Sequence, residues 1–523
     1  MAKKIFIYDA TLREGAQSAR VAYTVDDKII IAKKLDDLGV HYIEGGWPLR
    51  GVNEKDFDFF KKIKKIKLKN AKIAAFGSTR RVGNKVQDDP ILNTLIDAET
   101  PVITIFGKSW DLHVTKVLNT TLEENIKMIA ESVAYLKSKK KEVVYDAEHF
   151  FDGYKANPNY AFKTLQAAQT AGADCICLCD TNGGTTLEEV EKIIADISAK
   201  IKVPLGAHFH NDSGLAVANT LIAVKNGITQ VQGTMNGFGE RCGNADITAL
   251  IPILSLKMGY ETIPAKNIKK LTETAHFLYE RINISPDDKQ PFVGKNAFTH
   301  KAGVHANAVM KLAESYEHMN PELVGNERII PMSDQAGVSS LLYKAQEMGI
   351  KLLKDDPKTK EIMILIKKKE AQGYEFEGAD ASLKLFIKHN LSKVKEFFKL
   401  ETMRVITEER NGELFTEATI KITVDGKTAH TASEGNGPVN ALDNALRKAL
   451  KKFYPQINDM HLVDFKVRVI EGSSGTAAKV KVFIESSDSK DIWNTVGVSE
   501  NIIEASWIAL TDSVRYKLLK EEK

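Results

Sequence analysis

The sequence predicts an α/β fold: a TIM-type (β/α)8 barrel, then a helical linker region, then a C-terminal α+β regulatory domain with an internal repeat. Three observations carry this. Up to about residue 260, eight short β-branched runs alternate with longer segments of helical periodicity, the pattern of repeated βα units around a parallel sheet. Each run is ended or followed by polar residues. Beyond about residue 400, a strands-then-helix unit occurs twice.

The strand candidates are 4–8, 41–45, 72–76, 102–106, 142–146, 174–179, 204–210 and 230–235. Eight such units match a TIM barrel, typically about 250 residues long. At their carboxyl ends stand Arg13 and Glu14, Glu44, Ser78, Lys108, Glu148, Asp180 with Thr181 and Asn182, His208 with His210, and Asn236. In a barrel these ends converge on one mouth, so residues distant in sequence meet there. An open doubly wound sheet also binds ligands at carboxyl ends but accounts less well for eightfold repetition. The barrel is expected over 1–265, and helical linker subdomains covering the active site over 266–398, with helices near 268–281, 341–354, 361–369 and 381–389. The last domain, 399–523, reads as antiparallel strands with one wet face, covered on the other by helices near 439–453 and 502–519, a module suited to dimerisation or ligand sensing.

Composition narrows the function classes. The chain has 523 residues, 43% hydrophobic and 27% charged, too long for one domain and too apolar for extensive disorder. Lys+Arg of 73 against Asp+Glu of 69 leaves +4, too balanced for a nucleic-acid footprint. The lysine-rich run 61–69 spaces its apolar residues as a helix running into a turn, a solvated outer face. With no signal-like segment and no apolar run of membrane-spanning length, the protein is expected to be soluble and cytoplasmic, without a membrane partner. Cys175, Cys177 and Cys179 alternate along one strand and read as small core filling in a reduced compartment.

The polar clusters carry the chemistry. His208 and His210 share one strand face with Phe209 turned away, so both imidazoles can reach one ion at about 2.0–2.1 Å. Glu14, on a turn with Gly15 and Gln17, supplies a carboxylate ligand, and Asn244 a further oxygen. Alone, Arg13-Glu14 would read as a surface ion pair; beside the histidines, Arg13 offers a planar fork to an anionic substrate's carboxylate. In the loop 237–244, Gly239 and Gly243 allow close backbone approach to an anionic or carbonyl ligand, with Glu240 and Arg241 ordering the loop. Glu148 is a candidate general base, and His305, in the polar segment 298–307 beside His300, could join it if the helical region folds over the mouth. Together these residues describe an enzyme using a divalent metal ion, Zn, Mn, Mg or Co.

The segments 11–17, 208–212, 239–244 and 302–305 resemble, in the same order, motifs of the α-isopropylmalate, homocitrate and citramalate synthases. The similarity covers nearly the whole chain, and the C-terminal repeat resembles that family's regulatory dimer domain. Within the family, Ile43-Glu44-Gly45-Gly46-Trp47-Pro48 resembles the branch whose acceptor is pyruvate. The resemblance implies a Claisen condensation of acetyl-CoA with pyruvate and hydrolysis of the thioester, giving (R)-citramalate and CoA. It further implies a first step toward isoleucine, isoleucine as inhibitor, and a homodimer.

It also implies roles. Arg13 would bind the carboxylate or steady the alkoxide, and Thr181 would hydrogen-bond the carboxylate. Glu148 with His305 would remove the methyl proton, with Tyr316 assisting. Two departures stand out: Glu14 where many members carry Asp, and a Tyr145-Asp146-Ala147-Glu148 context unlike the Ser-containing one of the leucine-pathway enzymes. The alternatives are α-isopropylmalate synthase using 2-oxoisovalerate, a barrel-fold acyl-CoA lyase, and a non-catalytic metabolite sensor.

Overall fold

The computed structural model describes residues 3–49, 51–332, 335–391, 395–470, 475 and 477–522. The chain forms two compact units, Met1–Phe298 with Met319–Glu327, and Thr299–His318 with Arg328–Lys523. The helical region expected over 266–398 therefore divides between them: the helix Leu271–Arg281 and the short turn of helix Pro321–Val324 belong to the first unit, and the α-helices from Gly303–Lys311 onward belong to the second.

In the first unit, β1 (Phe6–Asp9), β2 (Tyr42–Gly46), β3 (Lys72–Ser78), β4 (Val102–Lys108), β5 (Glu142–Glu148), β6 (Cys175–Asp180), β7 (Leu205–Phe209) and β8 (Gln230–Gly233) form a closed barrel in chain order. Every pairing is parallel, and β1 against β8 completes the ring. Both faces of each strand are covered, so the strands read as nearly unbroken buried runs. Alternate residues separate two packed layers. Ile7, Ile43, Ile103, Val143 and Ile176 join the core beneath the outer helices, while Tyr8, Ala74, Val102, Val144, Cys175, Cys177 and Cys179 fill the lumen. All four cysteines are free, the three on β6 buried.

Local chemistry starts the crossover helices where the periodicity places them. Thr24 and Asp27 form a reciprocal capping box on Val25–Leu38, Asp89 caps Pro90–Asp97 with proline at its first position, and Thr186 with Glu189 caps Leu187–Lys200. The basic run follows expectation: Glu54–Ile63 is helical and buries Phe59, Phe60 and Ile63 while its lysines face solvent. β4 and β5 run two residues past their expected ends, which places Lys108 and Glu148 side by side as the last register pair. β7 stops one residue earlier than expected, and His210 is held just beyond it by a bridge to Asn244.

In the second unit, the helices Val338–Glu347, Pro357–Ala371 and Asp380–Asn390 pack around Leu341, Ile362, Ile366, Leu383 and Ile387. Two three-stranded antiparallel sheets follow. One is ordered β11 (Lys427–Gly435), β10 (Glu413–Val424), β9 (Lys399–Arg410); the other β12 (His461–Val469), β13 (Val480–Ser487), β14 (Ile492–Ser499). On β10 the alternate residues Ala418, Ile420, Ile422 and Val424 are buried with Ala441, Leu442, Ala445 and Leu446 of the helix Pro438–Leu450. β13 repeats this with Val482 and Ile484 against Ile502–Glu521. The other face of the first sheet remains wet, as period-2 patterning predicts, whereas that of the second is partly covered: Val496 is fully buried and Lys481 pairs with Glu375. Among the described residues, no helix is long and apolar enough to cross a membrane.

Candidate active site

The carboxyl ends of the strands converge on a cavity of about 230 Å³ lined by Arg13, Glu14, Trp47, Phe76, Phe106, Asp146, Glu148, Cys179, Thr181, His208, His210 and Glu240, among others. Its position follows from topology, since parallel strands with polar carboxyl ends bring β1 through β8 onto one rim.

Glu14, His208 and His210, all buried, each offer a ligand atom, and these lie within 4.8 Å of one another. The two imidazole rings have centroids 5.1 Å apart, and His210 Nε2 lies 3.8 Å from Glu14 Oε1. Burial depresses both histidines, His210 to about 3 with neighbouring His208 adding to the effect, so both rings are neutral and able to ligate. Burial alone would raise the Glu14 carboxyl, but the adjacent Arg13 guanidinium, with a hydrogen bond from Asn244, brings it below its ordinary value. Among the described residues, Asn244 Oδ1 and His210 Nδ1 are buried with no hydrogen-bond partner. A buried carboxylate, two neutral imidazoles and an unsatisfied amide oxygen fit a divalent cation, because orphaned acceptors are costly unless something coordinates them.

Arg13 sits between two carboxylates. Its Nε donates to Glu44 Oε1 at 2.5 Å, Nη1 pairs with Glu14, and the guanidinium lies 3.7 Å from the centroid of Phe76. Glu44, fully buried on β2, also accepts from Tyr8 Oη at 2.6 Å, and Tyr8 Oη lies 2.7 Å from Thr104 Oγ1. Burial would lower the Arg13 pKa, yet the two carboxylates raise it, so the side chain is a permanent cation. Phe76 stacks on Phe106 at 5.5 Å, and Trp47 meets both edge-on at 6.0 and 5.8 Å. These rings form the apolar wall of the cavity.

Glu148 is paired with Lys108, its register neighbour. Thr181 Oγ1 accepts from the His149 backbone N–H at 2.9 Å, leaving its proton free to donate. In the glycine loop, Arg241 forks onto Asp212 at 2.7 and 2.8 Å and donates to the Thr181 carbonyl at 2.8 Å, while the Glu240 side chain is mostly exposed. The amide N–H of Gly239 donates to Ser18 Oγ and that of Gly243 to the Glu240 carbonyl. Both N–H groups are thus engaged within the protein, and both glycines are closely packed. A Cβ on Gly239 would sit 2.0 Å from Asn244 Nδ2, and one on Gly243, at φ +88°, would sit 2.1 Å from the Gly237 carbonyl oxygen. His305 and Tyr316 belong to the second unit, where both are exposed and their rings stack at 4.3 Å.

Four features escaped sequence reasoning. Asp146 and Gln232, both buried, are hydrogen-bonded in the lumen at 3.1 Å, and burial with nearby Glu44 raises Asp146 to about 8. The Lys108–Glu148 pair and the three-ring wall come from register and closure. The signal for the first two was present: Asp146, Gln230 and Gln232 are polar at inward positions, where barrels usually carry branched apolar side chains. Asp146 also groups with Cys177 and Cys179. Burial raises the Cys177 thiol, in keeping with neutral core filling.

An HMGL-like family model matches residues 4–278, a model described as homocitrate synthase post-HMGL domain-like matches 292–373, and the LeuA allosteric (dimerisation) domain matches 377–518. The chain is 55% identical to an (R)-citramalate synthase of Aquifex aeolicus across 100% of this chain and 99% of that protein. It is 55% identical to an (R)-citramalate synthase of Geobacter sulfurreducens across 99% and 98%. A protein named a probable 2-isopropylmalate synthase, from Methanopyrus kandleri, is 31% identical over 97% of each chain. The barrel, the post-barrel segment and the terminal repeat are thus shared in order and at full length, and the chain belongs to the (R)-citramalate synthase family.

Proposed function

We propose that this chain condenses acetyl-CoA with pyruvate and hydrolyses the thioester, yielding (R)-citramalate and CoA, the first step of the pyruvate route to isoleucine. The observation that carries the reading is 55% identity, end to end, to proteins named for that product. The small cavity walled by Trp47, Phe76 and Phe106 supports a short acceptor.

Glu14, His208, His210 and the Asn244 amide oxygen would hold a divalent cation, which supplies a Lewis acid to polarise the acceptor's 2-oxo group. Arg13, with Nε and Nη1 engaged by carboxylates, has Nη2 left to neutralise negative charge growing on the former carbonyl oxygen. Thr181 donates its free hydroxyl proton to the acceptor's carboxylate. Glu148, paired with Lys108, removes a proton from the acetyl methyl group. The resulting carbanion attacks C2 of pyruvate, and water then cleaves the thioester and releases CoA. The resemblance gives His305 and Tyr316 a share in the proton transfers, which His305→Gln and Tyr316→Phe test through kcat.

Isoleucine is the proposed effector of the C-terminal domain, and a homodimer the proposed assembly. Exposed Ile406, Leu414 and Phe415 on β9 and β10, and Leu462, Val463, Val467 and Val469 on β12, are apolar strand surface that a second copy would cover. Free cysteines suit the cytoplasm.

The test is CoA release from acetyl-CoA with pyruvate, 2-oxobutyrate, 2-oxoisovalerate and 2-oxoglutarate, each with and without isoleucine, leucine and a chelator. Fastest release with pyruvate, lost on chelation and suppressed by isoleucine, is expected. Preference for 2-oxoisovalerate with leucine inhibition would overturn the acceptor assignment.

A further inference from the structure

Beneath the candidate metal ligands runs a buried polar chain with no part in the chemistry above. His208 Nδ1 lies 3.2 Å from Gln232 Oε1, and Gln232 Nε2 donates to Asp146 Oδ1 at 3.1 Å and toward Gln230 Oε1 at 3.5 Å. His208 and Gln232 are register neighbours on β7 and β8, whereas Asp146 reaches across the lumen from β5. His208, Gln232 and Asp146 are each no more than 5% exposed. An amide and a carboxyl in a barrel lumen replace apolar filling, at a desolvation cost that only full hydrogen bonding offsets.

We propose that Gln232, oriented by Asp146, is a positioning residue that decides which ring nitrogen of His208 carries the proton. The amide nitrogen of Gln232 faces two oxygen acceptors, so its carbonyl oxygen is the end presented to the imidazole. A carbonyl oxygen can only accept, so the proton sits on His208 Nδ1 and the lone pair on Nε2. His208 is thereby held as a neutral ligand of fixed tautomer and ring angle before any cation arrives. Metal-binding histidines commonly donate their other ring N–H to an oxygen in this way, and losing that partner weakens metal affinity about 10–100-fold. The proposal rests on the metal reading of Glu14, His208 and His210.

The experiment uses the full-length protein stripped of metal. Protein labelled with 15N-histidine is examined by NMR, His208 being assigned by its loss in His208→Ala, and Co²⁺ alone is titrated into the unsubstituted protein, Gln232→Met and Gln232→Glu. The expected tautomer is Nδ1–H. Gln232→Met, near in volume but with no acceptor oxygen, is expected to weaken Co²⁺ binding about 10–100-fold. Gln232→Glu, which keeps an acceptor oxygen, is expected to restore binding to within about threefold of the unsubstituted protein, the conservative rescue that a packing role would not give. A proton on Nε2, or unchanged affinity in Gln232→Met, overturns the proposal. Should Gln232→Met not fold, the tautomer of the unsubstituted protein decides. If the unsubstituted protein takes up no Co²⁺, the metal reading falls and this proposal with it; uptake that is indifferent to Gln232 refutes the positioning role alone.

Discussion

Replacing Arg13 with Met separates a structural debt from a catalytic one. In the native barrel the guanidinium faces Glu44, fully buried, and Glu14, 4% exposed, and rests on the Phe76 ring. Removing one partner of a buried ion pair destabilises by about 3–5 kcal/mol, because the other charge is left unpaired. Tyr8 still donates to Glu44, which places the figure near about 3 kcal/mol. Loss of the cation–π contact adds about 1 kcal/mol. At about 2 °C per kcal/mol for a domain of this size, the barrel's melting transition should fall by roughly 8 °C.

The assay is thermal unfolding followed by circular dichroism, together with CoA release, on Arg13→Met, Glu44→Gln and the double variant. If an orphaned carboxylate causes the loss, Glu44→Gln in the Arg13→Met background should recover about half of it, as one of the two uncompensated charges is gone. Activity should stay absent in both, since neither restores a cation to the mouth. A single variant melting within about 2 °C of the native protein, or a double variant no more stable than the single, would refute the electrostatic account. Activity regained in the double variant would refute the catalytic assignment of Arg13.

Phe106→Leu should open the apolar wall, whose other members are Trp47 and Phe76, and raise kcat/KM for 2-oxobutyrate relative to pyruvate about tenfold, one methylene in such a pocket being worth about 1–3 kcal/mol; an unchanged ratio in parallel assays would show that the wall does not set acceptor size. A truncation ending near residue 395, before the β9–β14 sheets, should lose inhibition by isoleucine if it remains active, and unchanged sensitivity would sink the assignment of the effector to that domain. In the second repeat, burial would raise the Asp488 carboxyl, but bonds from Lys517, Lys520 and the backbone N–H groups of Lys490 and Asp491 hold it well below its ordinary value. Its stabilising contribution is therefore complete above an unfolded-state carboxylate pKa of about 3.9 and disappears as pH falls through the lower folded-state value. The melting-temperature gap between native protein and Asp488→Asn should accordingly be full at pH 7 and begin to narrow only below about pH 4; a gap independent of pH would show that the carboxylate's charge contributes nothing.

What the sequence alone determined rests on short-range periodicity. A period of two puts His208 and His210 on one face and turns Phe209 outward, and alternation of strand runs with helical segments identifies eight βα units and a doubled strand–helix module. The general rule that polar residues at the carboxyl ends of barrel strands share one mouth then collects Arg13, Glu14, Glu148, Thr181 and the histidines without coordinates. Tertiary structure alone decided which residues of different strands touch. Alternation says that Asp146 and Gln232 point inward, but only closure of the ring and its stagger bring β5 and β8 side chains within hydrogen-bond distance across the lumen. Two extra residues on β4 and β5 make Lys108 the partner of Glu148, and the tilt of β2, β3 and β4 brings Trp47, Phe76 and Phe106 together as one wall. Orientation along a strand is local and legible in the chain, whereas contact between strands depends on shear and register, which the whole barrel sets at once.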